Sequence, residues 1–172
     1  MISTNAGLAS GFDPIQEGRY EDWDAMIDTN VKGLLNVTRE VLPMMIERDR
    51  GHVINIGSVA GTMVYPKGNV YCATKWSVRG IYEALRLDLP HPGIRVATVD
   101  PGIVKTDFSL VRFKGDAARA EAVYEGLEHL DPEDVADAVR YIVTRPRHVN
   151  VGELVLWPSA QASTTQVTRE RR

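Results

Sequence analysis

A chain of 172 residues that is 44% hydrophobic and 25% charged has the length of one domain and the make-up of an ordinary globular protein, which excludes a disordered chain. A net charge of −3 with no basic face argues against nucleic acid as the main partner. A single cysteine, Cys72, excludes an intrachain disulfide and fits a reducing compartment.

The opening Met1-Ile2-Ser3-Thr4-Asn5 has neither the basic nor the apolar region of a signal peptide. No stretch approaches the ~18 consecutive apolar residues of a membrane span, so cytoplasm is the expected location and no membrane partner is expected. Turn residues follow at once (Asn5-Ala6-Gly7, Gly11, Asp13-Pro14, Gly18) and predict an irregular opening. From Glu21 to Arg48, Trp23, Met26, Val31, Leu34, Val41 and Met45 step at helical spacing, with Asn30 and Thr38 as the polar members of the stripe. Pro43 is expected to kink this helix or start its last turns. His52 to Ser58 reads as a short buried strand, β-branched and nearly all apolar up to its end. After a loop from Val59 to Lys67, Asn69 to Leu89 has helical period until Pro90 and Pro92. Ile94 to Val99 is a second buried strand, closed by Asp100-Pro101-Gly102, and loose sequence from Ile103 to Asp116 leads to a helix over Ala117 to His129. Asp131-Pro132-Glu133-Asp134 is a helix start, with an N-cap acid, proline in the first helical position and acids in the first turn. Gly152 to Trp157 predicts a last strand. The Ser/Thr/Gln-rich stretch from Ser159 to Arg172 reads as a polar tail, mobile or ordered only by a partner subunit. Strands alternating with long helices imply an α/β fold with a parallel sheet.

Tyr71 and Lys75 stand one helical turn apart, so their side chains share a face. The Lys75 ammonium is therefore expected to favour the phenolate and pull a reference pKa of about 10 downward. Ser58 falls at the carboxyl end of a strand, where open α/β sheets bind ligands. It can hydrogen-bond a carbonyl that Tyr71 protonates, with Asn30 holding a water that refills the proton. Tyr-x-x-x-Lys by itself is weak, since six tyrosines and five lysines give roughly 0.2 such pairs by chance. The four histidines (His52, His91, His129 and His148) have no metal-ligand spacing and no cysteine pair, so no metal is expected. Cys72 reads as a buried small side chain rather than a nucleophile.

Asn5-Ala6-Gly7, Asn30 within Asp28 to Gly33, Ile54 to Ser58, Tyr71 to Lys75 and Pro101 to Thr106 together resemble the short-chain dehydrogenase/reductase family, in that family's order. The resemblance implies a Rossmann-like, doubly wound parallel sheet and a nicotinamide cofactor, NADP with NAD as the alternative. It implies that Tyr71 is the acid/base, that Lys75 tunes it and binds the nicotinamide ribose, that Ser58 orients the substrate oxygen and that Asn30 anchors the relay water. Pro101, Gly102, Val104 and Thr106 would hold the nicotinamide carboxamide, while Asn5 and Gly7 would steady the sheet beside the cofactor. Val111 to Asp116, His148-Val149-Asn150 and the ending near Pro158 and Gln161 are similar to the NADP-dependent 3-hydroxy acid dehydrogenases, which act on serine, allo-threonine and malonic semialdehyde. Arg112 is then the candidate for pairing a substrate carboxylate. The family assembles as dimers or tetramers through its two long helices, here Glu21 to Arg48 and Asn69 to Leu89.

The glycine-rich nucleotide turn of that family and the strand before it have no counterpart in this sequence. Residues 1–158 read as the carboxyl-terminal two-thirds of one Rossmann-like catalytic domain, followed by the tail at 159–172. A cofactor gripped only by its nicotinamide half lacks several charge-assisted pyrophosphate contacts at ~1.5–3 kcal/mol each. The expectation is weak binding and no measurable NADPH oxidation by this chain alone. The competing expectation is a non-catalytic fragment that acts as an oligomerising module. An epimerase of the extended branch of the family is a third, disfavoured by the short carboxyl-terminal region.

Overall fold

The computed structural model describes residues 1–89 and 92–170. Pro90, expected to help end the second long helix, lies outside the described residues, as do His91, Arg171 and Arg172. Four parallel strands form one sheet in sequence order: β1 (Ile2–Thr4), β2 (Gly51–Ile56), β3 (Ile94–Pro101) and β4 (Glu153–Leu156). Ile2 pairs with Val53, Val53 with Val96, and Val99 with Leu154. Each crossover is helical, as right-handed β-α-β connections require. The sheet is apolar on both faces, and alternate residues of a strand serve opposite layers. On one side Val53 and Val96 pack with Met45, Tyr82 and Leu85, and on the other Ile54, Ala97 and Val99 pack with Ala138 and Ile142.

The first long helix is not uniform. It runs as α1 (Tyr20–Ile27), a six-residue π segment (Asp28–Gly33) and α2 (Leu34–Glu47). The wider π turn changes which side chains face inward, and it buries Asn30 to 2% exposure. Pro43 sits inside α2 rather than at an end. The strand expected to reach Ser58 stops at Ile56. Gly57 N still donates to Val99 O at 2.8 Å, and Ser58 turns out to cap a short 3₁₀ turn, accepting from Ala60 N at 3.1 Å. Helix α3 (Asn69–Asp88) follows the expected bounds closely.

Three further expectations are corrected. The loose segment 103–116 contains a short helix, α4 (Phe108–Arg112). The helix expected over 117–129 is only α5 (Ala117–Ala122), because the chain then turns to let the Tyr124 hydroxyl meet Ser109 Oγ at 2.8 Å, and Gly126 takes a left-handed φ of 66°. Helix α6 (Pro132–Val143) starts as its acids and proline predict, with Asp131 N donating to the Asp134 carboxylate at 2.8 Å. Its Val135, Ala138 and Ile142 cover the second face of the sheet. Finally, residues 159–170 are not a loose tail. They fold back on their own chain, with Thr168 N donating to Ala160 O at 2.8 Å, because their polar side chains and amides find main-chain partners on neighbouring loops.

Candidate active site

The carboxyl ends of β2 and β3 lie beside the first turns of α3. Asp100, at the end of β3, accepts from Ser58 N at 3.1 Å and from Thr98 Oγ1 at 3.0 Å. Its carboxylate lies where a Gly57 side chain would stand, 1.9 Å from an added Cβ, so only glycine lets the two strand ends close this way. Asp100 thereby positions Ser58, a role that the sequence reading, which saw only a turn residue, missed. Lys75 comes from α3 and donates through Nζ to Ile56 O at 3.1 Å. The same nitrogen lies 5.9 Å from the Tyr71 ring centre. Ser58, Tyr71 and Lys75 are brought together.

Asn30 joins them through the π segment. Both of its amide protons are used, by Leu8 O at 2.8 Å and Thr74 Oγ1 at 3.0 Å, and its Oδ1 accepts from Leu8 N at 2.8 Å. Thr74 Oγ1 in turn donates to Tyr71 O. Asn30 thus ties the turn after β1 to α3, with no side-chain proton left over for a water. Gly7 is exposed and lies in front of this group, with Asn30 Oδ1 and Lys75 Nζ 3.4 and 3.5 Å from the position of an added Cβ. Asn5 is exposed just past β1.

Burial dominates the electrostatics. It pushes the Tyr71 phenol well above its ordinary range, against the opposing effects of the Ser58 hydroxyl and the Arg112 charge. Burial also brings Lys75 down to about 8, while the Asp100 charge works the other way. The expectation that Lys75 lowers the Tyr71 pKa is therefore corrected. The phenol is above its usual value, and the cation that pulls it down is Arg112. Desolvation disfavours the charged form of an acid and of a base alike, so the pair stands as a protonated phenol beside an amine that titrates at about 8. A phenol held protonated is suited to donating to a carbonyl oxygen. Asp100 is raised by its own burial, against hydrogen bonds from Thr98 and Ser58.

Arg112, expected as a substrate residue, is beside the site but is only 9% exposed. Its guanidinium lies 4.8 Å from the Phe12 ring centre, 5.4 Å from Tyr65, 5.5 Å from Tyr71 and 6.0 Å from Phe108. Its main chain clasps the early loop, Gly11 N donating to Arg112 O at 3.0 Å. This aromatic enclosure had no local signal in the sequence. Nearby, Lys114 pairs with Asp22 at 2.8 Å and pins the same segment to α1.

Pro101 ends β3, and Gly102 N donates to Leu156 O at 2.7 Å. Val104 bridges to Leu130, and Thr106 Oγ1 accepts from Phe108 N at 3.1 Å. Gln161, noted in the sequence only as part of the ending, reaches in from the carboxyl-terminal stretch to accept from Ile103 N at 2.9 Å. These residues fit the nicotinamide and ribose end of a dinucleotide. The open glycine at position 7 leaves room in front of Lys75, and the Lys75 ammonium spends one of its three protons on Ile56 O. No residue of this group offers a phosphate cradle.

Ser58, Tyr71 and Lys75 thus stand together at the carboxyl edge of a parallel α/β sheet. A family model described as short chain dehydrogenase matches residues 1–116, and the chain belongs to that family. The chain is 50% identical over 163 residues to the NADP-dependent 3-hydroxy acid dehydrogenase YdfG of Escherichia coli (strain K12), covering 94% of this chain and 66% of that protein. It is 45% identical to a probable NADP-dependent dehydrogenase of Haemophilus influenzae, covering 94% of this chain and 65% of that protein. The chain thus spans about two thirds of the length of the curated relatives it matches. Among solved structures, the closed form of serine dehydrogenase complexed with NADP+ superposes with a TM-score of 0.92 at 48% identity, over 99% of this chain and 68% of that one. Its likeness bears out the Rossmann-like parallel fold.

Proposed function

We propose that this chain carries the acid/base and nicotinamide-binding part of an NADP-dependent oxidoreductase that reduces a small carbonyl compound or oxidises a 3-hydroxy acid. The observation that carries the reading is the meeting of Ser58, Tyr71 and Lys75 at one sheet edge, with the phenol kept protonated by burial. In this reading the Ser58 hydroxyl holds the substrate oxygen and Tyr71 donates a proton to it. Lys75 binds ribose hydroxyls, and Pro101, Gly102, Val104 and Thr106 face the carboxamide. Asn30, Asn5 and Gly7 shape the wall beside them. The nicotinamide, when bound, supplies or accepts the hydride. NADP is supported by the names of the relatives, since no residue of this half-site touches the adenosine end where NAD and NADP differ. Arg112 pairs a substrate carboxylate once the Phe12 and Tyr65 side of its enclosure opens.

A homo-oligomer is part of the proposal. Leu35, Val37 and Met44 on α2 and Trp76 on α3 are 45%, 46%, 52% and 49% exposed, and apolar side chains of this kind on two long helices suit a second copy. The same observation supports the second reading, a chain that only oligomerises. The cytoplasmic setting rests on the lone, buried, free Cys72. Among the described residues, no helix is long and apolar enough to cross a membrane.

Two proteins separate the readings: the 172-residue chain, and a chimera with the amino-terminal third of the Escherichia coli relative joined ahead of Met1. NADPH oxidation with malonic semialdehyde is expected in the chimera and is expected to be unmeasurable in the chain alone, whose described site residues offer no phosphate cradle. A chimera that folds and oligomerises without turnover sinks the catalytic reading and leaves the oligomerising one. In the same chimera, Arg112→Met is expected to lower kcat/KM for malonic semialdehyde by roughly 10–10²-fold, the worth of one charge-assisted pair, and to lower it less for an uncharged aldehyde, which loses only the effect of the Arg112 charge on Tyr71. Equal losses on both substrates would remove Arg112 from carboxylate recognition.

A further inference from the structure

We propose that Gln161, with the carboxyl-terminal strap that carries it, is a positioning residue for the Pro101–Thr106 segment, holding it in the shape that a nicotinamide ring requires. The inference rests on the functional reading above and adds to it a residue that lies 90 positions from Tyr71 in sequence.

Gln161 is 5% exposed, although it belongs to a polar stretch. Both ends of its amide are engaged: Oε1 accepts from Ile103 N at 2.9 Å, and Nε2 donates to Ser163 O at 3.1 Å. The position of Ile103 explains why this matters. Gly102 N is served by Leu156 O at the end of the β3–β4 ladder, and Lys105 N is served by Leu130 O. The Ile103 amide falls between those two supports, and its acceptor is a side chain. A partly buried donor left without an acceptor costs a full desolvation penalty, so the segment would reshape to find one. The contact is close on the other side too. A Cβ at Gly102 would lie 2.4 Å from Gln161 Oε1 and 3.0 Å from Pro158 Cδ, so the segment and the strap are built against each other.

The strap is itself anchored to the loops that surround the site. Thr164 Oγ1 donates to Val64 O at 3.0 Å, in the loop that follows Ser58. The Arg169 guanidinium donates to Val123 O at 3.0 Å and also to Glu125 O, and Glu170 N donates to Gly126 O at 2.9 Å. Tyr124, within that turn, sends its hydroxyl toward Thr106 O at 3.4 Å. The strap therefore links the Ser58 loop, the Pro101–Thr106 segment and the turn after α5, with Gln161 at the centre. A carboxamide reads main-chain donors and acceptors at fixed spacing, and their fixing is worth affinity because it is done before the ligand arrives.

The test compares Gln161→Met, which fills the space without an acceptor, with Gln161→Glu, which keeps an acceptor toward Ile103 N while giving up the bond to Ser163 O. Amide hydrogen exchange of the 172-residue chain, read residue by residue by NMR, needs no cofactor. NADPH binding is then titrated into the millimolar range by quenching of tryptophan fluorescence. In the methionine variant, exchange at Ile103 is expected to rise about tenfold or more and NADPH affinity to fall about tenfold, the equivalent of one lost hydrogen bond. Strand amides of β2 and β3 should keep their protection, and the glutamate variant should recover most of both effects. Unchanged exchange at Ile103, or faster exchange with unchanged NADPH affinity, overturns the proposal and leaves the functional reading standing. Where the wild-type chain binds NADPH too weakly to titrate, the same comparison is made in the chimera, and unchanged affinity of the methionine variant there overturns the proposal while wild-type turnover keeps the functional reading standing. Loss of protection throughout the sheet in the methionine variant with no recovery by glutamate also counts against it, since it marks Gln161 as a general structural support.

Discussion

Tyr71→Phe is expected to lower the turnover of the chimera by ~10²–10⁴-fold, the usual contribution of a positioned proton donor, while leaving the fold intact. The ring is the part of Tyr71 that packs. It meets Phe108 edge-on at 5.4 Å and joins Ala9, Met26, Ala60 and Cys72 in the cluster beneath the site. Phenylalanine keeps all of those contacts and removes only the hydroxyl, which burial holds in its protonated form. Thermal unfolding should therefore barely move, while NADPH oxidation collapses. A variant that keeps most of its activity would show that another group delivers the proton. A variant that unfolds would show that the hydroxyl is structural.

Lys75→Met is expected to act in opposite directions on stability and function. Burial lowers Lys75 from an ordinary 10.5 to about 8. Below about 8 the amine is charged in both the folded and the unfolded chain, and the folded state bears the full cost of burying that charge. Between about 8 and 10.5 the folded protein has released the proton while the unfolded chain still binds it, so stability rises with pH through that window. Methionine removes the charge and also the hydrogen bond to Ile56 O. The net gain near neutral pH is on the order of 1–3 kcal/mol, and it should shrink as the pH is raised through the same window. Urea unfolding of both chains across that range checks it, and a methionine variant no more stable than wild type at neutral pH contradicts it. Turnover in the corresponding chimera should be lost, because the ribose contact proposed for Lys75 goes with the amine. A residue that costs stability and is kept for function is a common bargain at active sites.

Much of this was legible in the chain. Helix α3 and the start of α6 were readable almost to the residue because their signals are local: a 3.6-residue period for one, and an acid-proline-acid start for the other. Tyr71 and Lys75 were readable because an i, i+4 pair shares a helix face whatever surrounds it. The π segment at Asp28–Gly33 was not, since its residues have ordinary helical period and the wider turn is selected by the burial of Asn30 against Leu8 and Thr74. The early end of α5 and the folded carboxyl-terminal strap were missed for a related reason. Polar, small residues look unstructured until the main-chain groups that satisfy them, on Val64, Val123 and Ile103, are brought alongside.

Local order carries the alternation of strands and helices, the two-sided apolar sheet and the shared helix face of Tyr71 and Lys75, because these follow from periodicity and short-range spacing. The burial of Tyr71, the enclosure of Arg112 and the reach of Gln161 come only with the packed fold. Each of those depends on desolvation or on contacts between segments far apart in the chain, and neither quantity is written in local order.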